Sequence, residues 1–420
     1  MAAMVAVASH HGYGGATVSR VVEFAGVSRA TFYEHFAGRE ECFRAAYEAK
    51  ARAAREIVGA AAEAATPAER PGAVLEALVE ALAADRATAR FLLIEALAAP
   101  QPIRELHERL IASVDAFVAG FLDEQLPPAA IQIPSTALMA GVADVLTRRI
   151  LSETAEDLGS LCSDLGRWIN AYRLGDGSAP LHQGRWHDLG RFAKLVPSGE
   201  VEEPPLLPRG RSALAAEDAA TARRQRILDA TARLASEEGY AKLTVAAIAT
   251  AARVPRAAFY SHFESKQEAL MAAQTHGLQG AMAASAAEYS PTAPWPTRVW
   301  RAILAFFTYV AGVPHYARLD FVESYAAGAE AIRHRQQNQM VFALFLEDGY
   351  RQNPEAARLP RACSEAIAGA ILGLMRRVVV EGKTERMLSI APAAVYTILA
   401  PFIGPEEACV QVQAWARGAR

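Results

Sequence analysis

The chain has 420 residues and a formal net charge of −3 at pH 7; 52% of its residues are hydrophobic and 21% are charged. This length predicts two or three domains, and this composition is typical of a globular helical protein rather than a disordered chain. No run of 18 apolar residues predicts a membrane span, and the four cysteines lack the close spacing of a metal site or redox motif. We therefore expect a cytoplasmic protein with reduced thiols and no metal site.

The first informative segment is Gly12–Tyr47. Within it, Phe32 and Phe36 are four residues apart, so they share one face of a helix and are expected to anchor it in the core. Tyr33 and His35 then project away from that anchor. Aromatic residues at helical spacing are more often core than functional. That interpretation explains the two phenylalanines but not the outward tyrosine and histidine.

Two further helices are predicted over residues 139–172. The first has an apolar stripe at Met139, Ala143, Leu146 and Ile150. The second has one at Leu158, Leu161, Cys162, Leu165, Trp168 and Tyr172. Each set has the spacing of a single helix face, so each helix is expected to pack against another element.

Residues 175–216 differ from the rest of the chain in being rich in glycine, proline and charge, and we predict a linker there. A flexible coil of 42 residues would span about 36 Å root-mean-square. Trp186, Leu189 and Phe192 are expected to let part of this linker dock on the protein.

The segment Gly239–Gln274 repeats Gly12–Tyr47 without a gap at an offset of 227, with 15 of 36 positions identical. Such a repeat indicates two copies of one structural unit. In this second copy, helices are predicted over residues 223–238, 245–252, 255–263 and 266–287. Ser265 and Glu268 form a capping-box pattern at the start of the fourth helix. The aromatic pattern recurs as Phe259, Tyr260, His262 and Phe263.

The duplication extends beyond these segments, because residues 141–153 align with residues 369–381 at an offset of 228. The second copy has its own apolar stripe at Ile367, Ile371, Leu374 and Val378. Glycine inside a helix costs roughly 1 kcal/mol relative to alanine. Gly141, Gly369 and Gly373 are therefore expected to allow close contact between helices.

The repeated residues resemble the DNA-binding domain of the tetracycline-repressor (TetR) family of bacterial transcriptional regulators. The resemblance rests on Thr-Val, Val, Arg-Ala, Phe-Tyr and His-Phe at matched spacing, followed by Arg39 in one copy and Lys266 in the other. It implies an all-α fold with two units in tandem, each a three-helix helix-turn-helix head followed by a helical core that binds an effector and dimerises. The implied domains are heads at 1–47 and 217–274, cores at 48–174 and 275–420, and a linker at 175–216.

The resemblance also implies which residues contact DNA. Thr17 and Thr244 would contact phosphate at the cap of the second helix. Bases would be contacted at the start of the third helix, by Ser28, Arg29, Ala30 and Thr31 in one head and by Pro255, Arg256, Ala257 and Ala258 in the other. Backbone contacts would come from Tyr33, His35, Tyr260 and His262, and phosphate contacts from Arg39 and Lys266. Either arginine of the third helices could also contact guanine.

The two heads differ in ways that bear on the DNA they would bind. Ser28 and Thr31 match the family pattern, whereas Pro255 and Ala258 remove both hydroxyls. The first copy also lacks a basic opening turn, because Met1 aligns with Leu228 and nothing corresponds to Arg223, Arg224 and Arg226. We therefore expect unlike half-sites and weaker phosphate binding by the first head, unless the true start of the chain lies upstream of Met1.

In this family the last two helices of each core form a four-helix dimer interface. With two copies in one chain, the resemblance favours an intramolecular pseudo-dimer that binds an asymmetric operator. The alternative is that both apolar stripes are ordinary core within each domain.

A small apolar or aromatic effector is expected in the second core, which is the richer in aromatic residues. Its candidate lining residues are Trp300, Phe307, Tyr316, Phe321, Tyr325 and Phe342. Aromatic residues in a helical domain are more often core than ligand site, so this alternative stays open. Release from DNA on effector binding is the family's usual mode, although activation is equally compatible with the residues.

The sequence offers little support for other functional classes. No catalytic motif, phosphate-binding loop or cofactor motif is found, so an enzyme is not expected and no cofactor is implied. Two alternatives to the two-headed pseudo-dimer remain. In one, only the second head binds DNA and the first half is a dimerisation scaffold. In the other, the chain homodimerises into a regulator with four heads.

Overall fold

The computed structural model describes residues 1–66, 69–125, 135–151, 158–172 and 216–418. Throughout these ranges every regular element is helical, which confirms the all-α prediction. The predicted linker, with Trp186, Leu189 and Phe192, lies outside the described residues except for Ala216, which begins a helix.

Ten α-helices are described in the first half of the chain, residues 1–174. They are α1 Ala2–Gly15, α2 Val18–Ala25, α3 Arg29–His35, α4 Arg39–Ala64, α5 Arg70–Ala84, α6 Arg86–Arg90, α7 Ala96–Ala98, α8 Gln101–Gln125, α9 Ser135–Leu151 and α10 Leu158–Asn170. A π-helical turn, Phe91–Glu95, joins α6 to α7.

Twelve α-helices are described in the second half, residues 217–420, with the first beginning at the preceding residue. They are α11 Ala216–Glu238, α12 Val245–Ala251, α13 Arg256–Tyr260, α14 Lys266–Glu288, α15 Trp295–Gly312, α16 Pro314–Arg318, α17 Ser324–Ala326, α18 Ala329–Gln339, α19 Val341–Leu346, α20 Ala362–Val380, α21 Ala391–Ile403 and α22 Pro405–Gly418. A π-helical turn, Leu319–Glu323, joins α16 to α17, and 3₁₀ turns occur at Gly349–Arg351, Ala356–Arg358 and Thr384–Ile390.

The chain divides into two compact units that do not coincide with its two halves. Unit 1 comprises Met1–Gln183, Phe342–Leu374 and Tyr396–Trp415. Unit 2 comprises Gly184–Val341, Met375–Val395 and Ala416–Arg420. Late helices of the second half therefore contribute to the unit that begins at the N-terminus.

Side-chain caps explain where several helices begin. The predicted capping box is present, since the Ser265 hydroxyl accepts from the Glu268 N–H at 3.1 Å. The Glu268 carboxylate in turn accepts from the Glu264 N–H at 2.6 Å. In the first half Gly38 offers no side-chain cap, but Glu41 makes the same contact with the Ala37 N–H at 2.6 Å. At both helix starts a glutamate thus binds the N–H of the residue before the N-cap, and at α14 the serine also satisfies an N–H of the first turn.

Unit 1 contains a close crossing of α9 with α20. A Cβ added at Gly141 would lie 2.5 Å from both the Ala366 carbonyl oxygen and Cη2 of Trp168. One added at Gly369 would lie 3.2 Å from the Gly141 Cα. The expected role of these glycines in close helix contact is thus confirmed, because a side chain at either position would separate the two backbones.

Polar contacts accompany that crossing within unit 1. The Arg149 guanidinium donates to both carboxylate oxygens of Glu365, at 3.0 and 3.1 Å. The Trp168 indole donates to the Tyr172 hydroxyl at 2.9 Å, which donates to the Thr397 carbonyl at 2.8 Å. The Arg149–Glu365 and Tyr172–Thr397 bonds join residues 216 and 225 positions apart in the chain.

The burial of α9 is rotated from the predicted stripe. Leu146 is buried as expected, but Met139 and Ala143 are half-buried. The buried positions of α9 are Ala137, Leu138, Gly141, Val142, Val145 and Leu146, and the Ile150 side chain lies outside the described residues. The predicted stripe of α10 is buried at Leu161, Leu165 and Trp168 and continues to the buried Tyr172 just after the helix. Cys162 is half-buried, and the Leu158 side chain lies outside the described residues. In α20 all four predicted positions are buried: Ile367, Ile371, Leu374 and Val378.

One described stretch, Thr384–Ile403, is long and apolar enough to cross a membrane, yet 72% of its most apolar window is buried inside the protein. Such burial is typical of a core helix rather than a lipid-facing one.

Candidate nucleic-acid interface

The second helix of each head begins at an exposed threonine. The Thr17 hydroxyl accepts from the Arg20 N–H at 3.4 Å, and the Thr244 hydroxyl accepts from the Ala247 N–H at 3.1 Å. In this cap the oxygen is the acceptor, so the hydroxyl proton stays available to a phosphate oxygen. Both threonines are solvent-exposed.

The third helix begins differently in the two heads. The Ser28 hydroxyl accepts from the Thr31 N–H at 3.0 Å and lies 3.0 Å from the Thr31 hydroxyl. At the corresponding position, Pro255 provides no side-chain cap. Exposed residues at the two helix starts are Ser28, Arg29, Ala30, Pro255, Arg256 and Ala257, while Thr31 and Ala258 are half-buried. Arg29 donates to the Ser19 hydroxyl of the preceding helix.

Each third helix exposes a tyrosine beside a buried phenylalanine. Tyr33 is 56% exposed and Phe32 5%, whereas Tyr260 is 55% exposed and Phe259 0%. The neighbouring rings meet edge to face, with centroids 5.4 and 5.5 Å apart. The sequence prediction of an inward phenylalanine and an outward tyrosine is therefore confirmed in both heads.

The two histidines of the motif have different surroundings. His35 is exposed, and His262 is half-buried. Burial lowers the pKa of His262, and the charges of Arg224 and Arg223 lower it further. Arg223 and Arg224, in the first helix of the second head, therefore lie close enough to His262 to lower its pKa.

Arg39 and Lys266 are engaged within their own heads. Arg39 donates to the Gly14 carbonyl at 3.2 Å, and its guanidinium lies 4.5 Å from the centroid of the Tyr13 ring. Lys266 donates to the Tyr240 carbonyl at 3.1 Å, and its ammonium lies 4.4 Å from the centroid of that ring. Each cation is thus tied to the turn before the second helix while remaining partly exposed.

Two buried glutamates contact the heads, a role that the sequence did not predict for either of them. Glu95 accepts a hydrogen bond from the Tyr13 N–H, and Glu323 accepts one from the Tyr240 N–H. The sequence signal for this role was a glutamate at the end of an apolar run, which recurs at an offset of 228. Its partners lie 82 and 83 residues away, which no local pattern encodes.

The candidate effector residues are mainly core in the structure. Buried members of the set are Trp300, Phe307, Tyr316 and Phe321. Tyr325 and Phe342 are half-buried, and Phe342 belongs to unit 1 while the other five belong to unit 2.

A family profile described as "Bacterial regulatory proteins, tetR family" matches residues 1–46 and again residues 227–273. The chain therefore contains two tetR-like units, as the sequence resemblance predicted. No curated protein sequence is significantly similar to the chain.

Solved structures similar to this chain include several bacterial regulators. The fatty acid degradation regulator FadR from Bacillus halodurans is 16% identical, with 42% of this chain and 94% of that chain covered and a TM-score of 0.37. FadR from Bacillus subtilis, solved in complex with stearoyl-CoA, is 16% identical over 43% and 98%, with a TM-score of 0.36. A tetR-family protein from Rhodococcus RHA1 is 23% identical over 42% and 96%, with a TM-score of 0.34.

Proposed function

Because the chain carries two units of the tetR family of bacterial regulatory proteins, we propose that it is a transcriptional regulator that binds operator DNA through both heads. The observation that carries the proposal is the shared presentation of Tyr33 and Tyr260, each about half exposed on a short helix anchored by a buried phenylalanine. An exposed ring held by a rigid anchor can contact DNA without reorganising the head.

In this proposal each head contacts DNA with three groups of residues. The hydroxyls of Thr17 and Thr244 donate to phosphate at the cap of the second helix. The exposed starts of α3 and α13 supply the base contacts. The DNA backbone is contacted by Tyr33, Tyr260, His35 and His262. Arg39 and Lys266 add positive charge near the DNA while stabilising the turn inside the head.

The operator is proposed to consist of two unlike half-sites. The first head offers two hydroxyls at the start of its third helix, where the second offers a proline and an alanine. The second head also carries Arg223, Arg224 and Arg226 on α11. Different donors at the base edges favour different sequences, and the extra cations favour tighter phosphate binding.

Pairing of the two halves is proposed to occur within one chain. The support is the set of contacts in unit 1, where α9 and α10 of the first half meet α20 and α21 of the second. The Arg149–Glu365 ion pair and the glycine crossing give that contact both charge complementarity and close packing. Domain boundaries at 1–47, 48–174, 217–274 and 275–420 follow from the same proposal.

A ligand-responsive repressor is the regulatory mode that we propose. A small apolar or aromatic effector bound in the second core would favour a conformation whose heads fit DNA poorly. Such a shift requires the effector to bind one conformation more tightly than the other.

The test is selection of binding sites from random DNA with the purified full-length chain, repeated with Tyr33→Ala and Tyr260→Ala. We expect two unlike half-sites for the wild type, and each variant should lose sequence preference in a different half. Ile57→Ala and Val410→Ala serve as controls, since both side chains are exposed outside the heads.

Two outcomes would favour the alternatives. If Tyr33→Ala selects the same sites as the wild type while Tyr260→Ala selects none, the first half is a scaffold. A strictly palindromic site bound by one chain would contradict the asymmetric operator, and a mass of twice 45.0 kDa in solution would indicate four heads.

A further inference from the structure

One peptide group in the first head is held by a buried carboxylate from the core. The N–H of Tyr13, which lies in the last turn of α1 just after a kink at Gly12, donates to Oε2 of Glu95 at 2.7 Å. Glu95 is only 3% exposed and ends the π-helical turn that joins α6 to α7. The bond therefore links the DNA-binding head to a core helix 82 residues later in the chain.

The second half repeats this contact at the corresponding positions. The Tyr240 N–H donates to Oε2 of Glu323 at 2.9 Å. Glu323 is 4% exposed, and it also ends a π-helical turn, Leu319–Glu323. π-helical turns are rare and occur frequently at functional sites. Finding one with the same terminal glutamate in both halves indicates that the duplicated unit kept this arrangement as a whole.

A glycine with positive φ aims each N–H at its carboxylate. Gly12 has φ 73° and Gly239 has φ 85°, in the region where glycine is favoured. A Cβ added at either glycine would lie 3.6 to 3.7 Å from the same carboxylate oxygen. Replacement would therefore strain the backbone of the turn even though space for a methyl group exists.

The carbonyl group of the same tyrosine accepts a hydrogen bond from a side chain of its own head. Arg39 donates to the Tyr13 carbonyl at 3.4 Å, and Lys266 donates to the Tyr240 carbonyl at 3.1 Å. Each tyrosine thus has its N–H bound by a core anion and its carbonyl bound by a cation at the start of the fourth helix. This residue forms a polar link from the core to the base of the head.

The two links differ in how the carboxylate is supported. In the first half the Arg90 Nε lies 3.1 Å from Glu95 Oε1, with side chains 23% and 4% exposed. The aligned Arg318 instead donates to the Ser236 carbonyl at 3.0 Å. The first link therefore contains a partly buried ion pair in addition to the peptide hydrogen bond.

We propose that Glu95 and Glu323 are positioning residues that fix each DNA-binding head on its own core. The proposal rests on the function proposed above, since a head must be held at a defined angle to contact its half-site. Without the carboxylate, a buried N–H would lose its acceptor and the turn would be free to move. Any shift of the π-helical turn in the core is then passed directly to the head.

The experiment uses the full-length chain with Glu95→Ala, Glu95→Gln, Glu323→Ala and Glu323→Gln, and with the exposed Glu56→Ala as control. Three quantities are measured: hydrogen exchange of the Tyr13 and Tyr240 amides, thermal unfolding, and affinity for DNA selected by the wild type. Each alanine variant should speed exchange at its own tyrosine and weaken DNA binding about tenfold, the loss expected for one charge-assisted hydrogen bond.

The glutamine variants separate positioning from bulk stability. Glutamine keeps a carbonyl acceptor for the peptide N–H, so Glu323→Gln should restore both slow exchange and wild-type affinity. Glu95→Gln should restore them only partly, because it removes the ion pair with Arg90. We therefore expect full rescue by Glu323→Gln and partial rescue by Glu95→Gln. This comparison holds even if an alanine variant fails to fold.

Two results would overturn the proposal. Faster exchange at Tyr13 or Tyr240 with unchanged DNA affinity would mean that the bond is only structural. Unchanged exchange in the alanine variants would mean that the link does not hold the turn. If the wild type selects no DNA, the proposed function fails and the positioning role with it, while the exchange data still report on the bond itself.

Discussion

At the scale of single residues, the two heads share an exposed tyrosine and a buried phenylalanine on the third helix but have different polar groups at its start. Ser28 caps α3 with its hydroxyl, whereas Pro255 directly precedes α13 with a φ of −60° and no side-chain cap. A proline provides this dihedral angle without cost, but its side chain offers neither a hydrogen-bond donor nor an acceptor. The same position is therefore structurally equivalent and chemically different in the two heads.

The pH dependence of stability is a prediction at this scale, and His276 is its clearest source. Burial lowers the pKa of His276 from 6.5, and the charge of Arg224 lowers it further, while that of Asp229 acts the other way. Protons then bind the unfolded chain more readily, so this contribution to stability is present above pH 6.5 and is lost as the pH falls below it.

Denaturant unfolding of the wild type and of His276→Gln, followed from pH 7.5 to about pH 5, measures this contribution. The free energy of unfolding should fall less steeply below pH 6.5 in the variant, because one titrating group is gone. An equal slope in both proteins would contradict the assignment.

At the scale of elements, local signals were sufficient for the heads. The predicted helix over residues 245–252 is observed as Val245–Ala251, and the one over 266–287 as Lys266–Glu288. The third helix is shorter than predicted, Arg256–Tyr260 rather than residues 255–263. Caps and apolar spacing act over one or two turns, which is why they locate these helices well.

Contacts between distant elements could not be predicted in the same way. The rotation of the buried face of α9 depends on the glycine crossing with α20, and the role of Glu95 depends on a turn 82 residues earlier. Both are set by tertiary packing, which the periodicity of a single helix does not encode. The duplicated pattern did indicate which helices were involved, but not which faces meet.

The glycine crossing gives a prediction at the element scale. Gly141→Ala should destabilise unit 1 by roughly 1–3 kcal/mol, since its Cβ would lie 2.5 Å from a backbone carbonyl of α20. Gly166→Ala is the matched control in α10. Nothing lies within 4 Å of its added Cβ, so it should gain about 0.5–1 kcal/mol from higher helix propensity.

Denaturant unfolding, followed by the loss of helical circular dichroism, measures both variants. Equal effects of the two substitutions would show that the crossing tolerates a methyl group. The close approach of α9 and α20 would then not be a requirement of the packing.

At the scale of the whole molecule, the contacts of unit 1 join the first half of the chain to the last part of the second. Arg149 and Glu365 are 19% and 15% exposed, so water screens their ion pair only in part. An interface with these features is expected to hold the halves together even when the covalent connection between them is cut.

That expectation is tested by inserting a recognition site for a specific protease within residues 175–215 of the full-length chain. After cleavage, the two fragments should elute together on gel filtration at the mass of the intact 45.0 kDa chain. Arg149→Glu should promote their separation, because it places two carboxylates in contact, and Arg149→Glu with Glu365→Arg should restore association. Fragments that separate fully in the wild type would contradict pairing through unit 1.

The composition of unit 1 also has a consequence for how the protein is made. Its N-terminal helices leave the ribosome early, but its partners Phe342–Leu374 and Tyr396–Trp415 are among the last residues to be synthesised. At typical translation rates of about 5–20 residues per second, the delay from residue 183 to residue 415 is roughly 10–50 s. During that interval Trp168 and Tyr172 lack the surface that finally buries them. The nascent chain must therefore avoid aggregating through this apolar face. A chain that ends before residue 396 lacks Tyr396–Trp415 and leaves part of the face exposed.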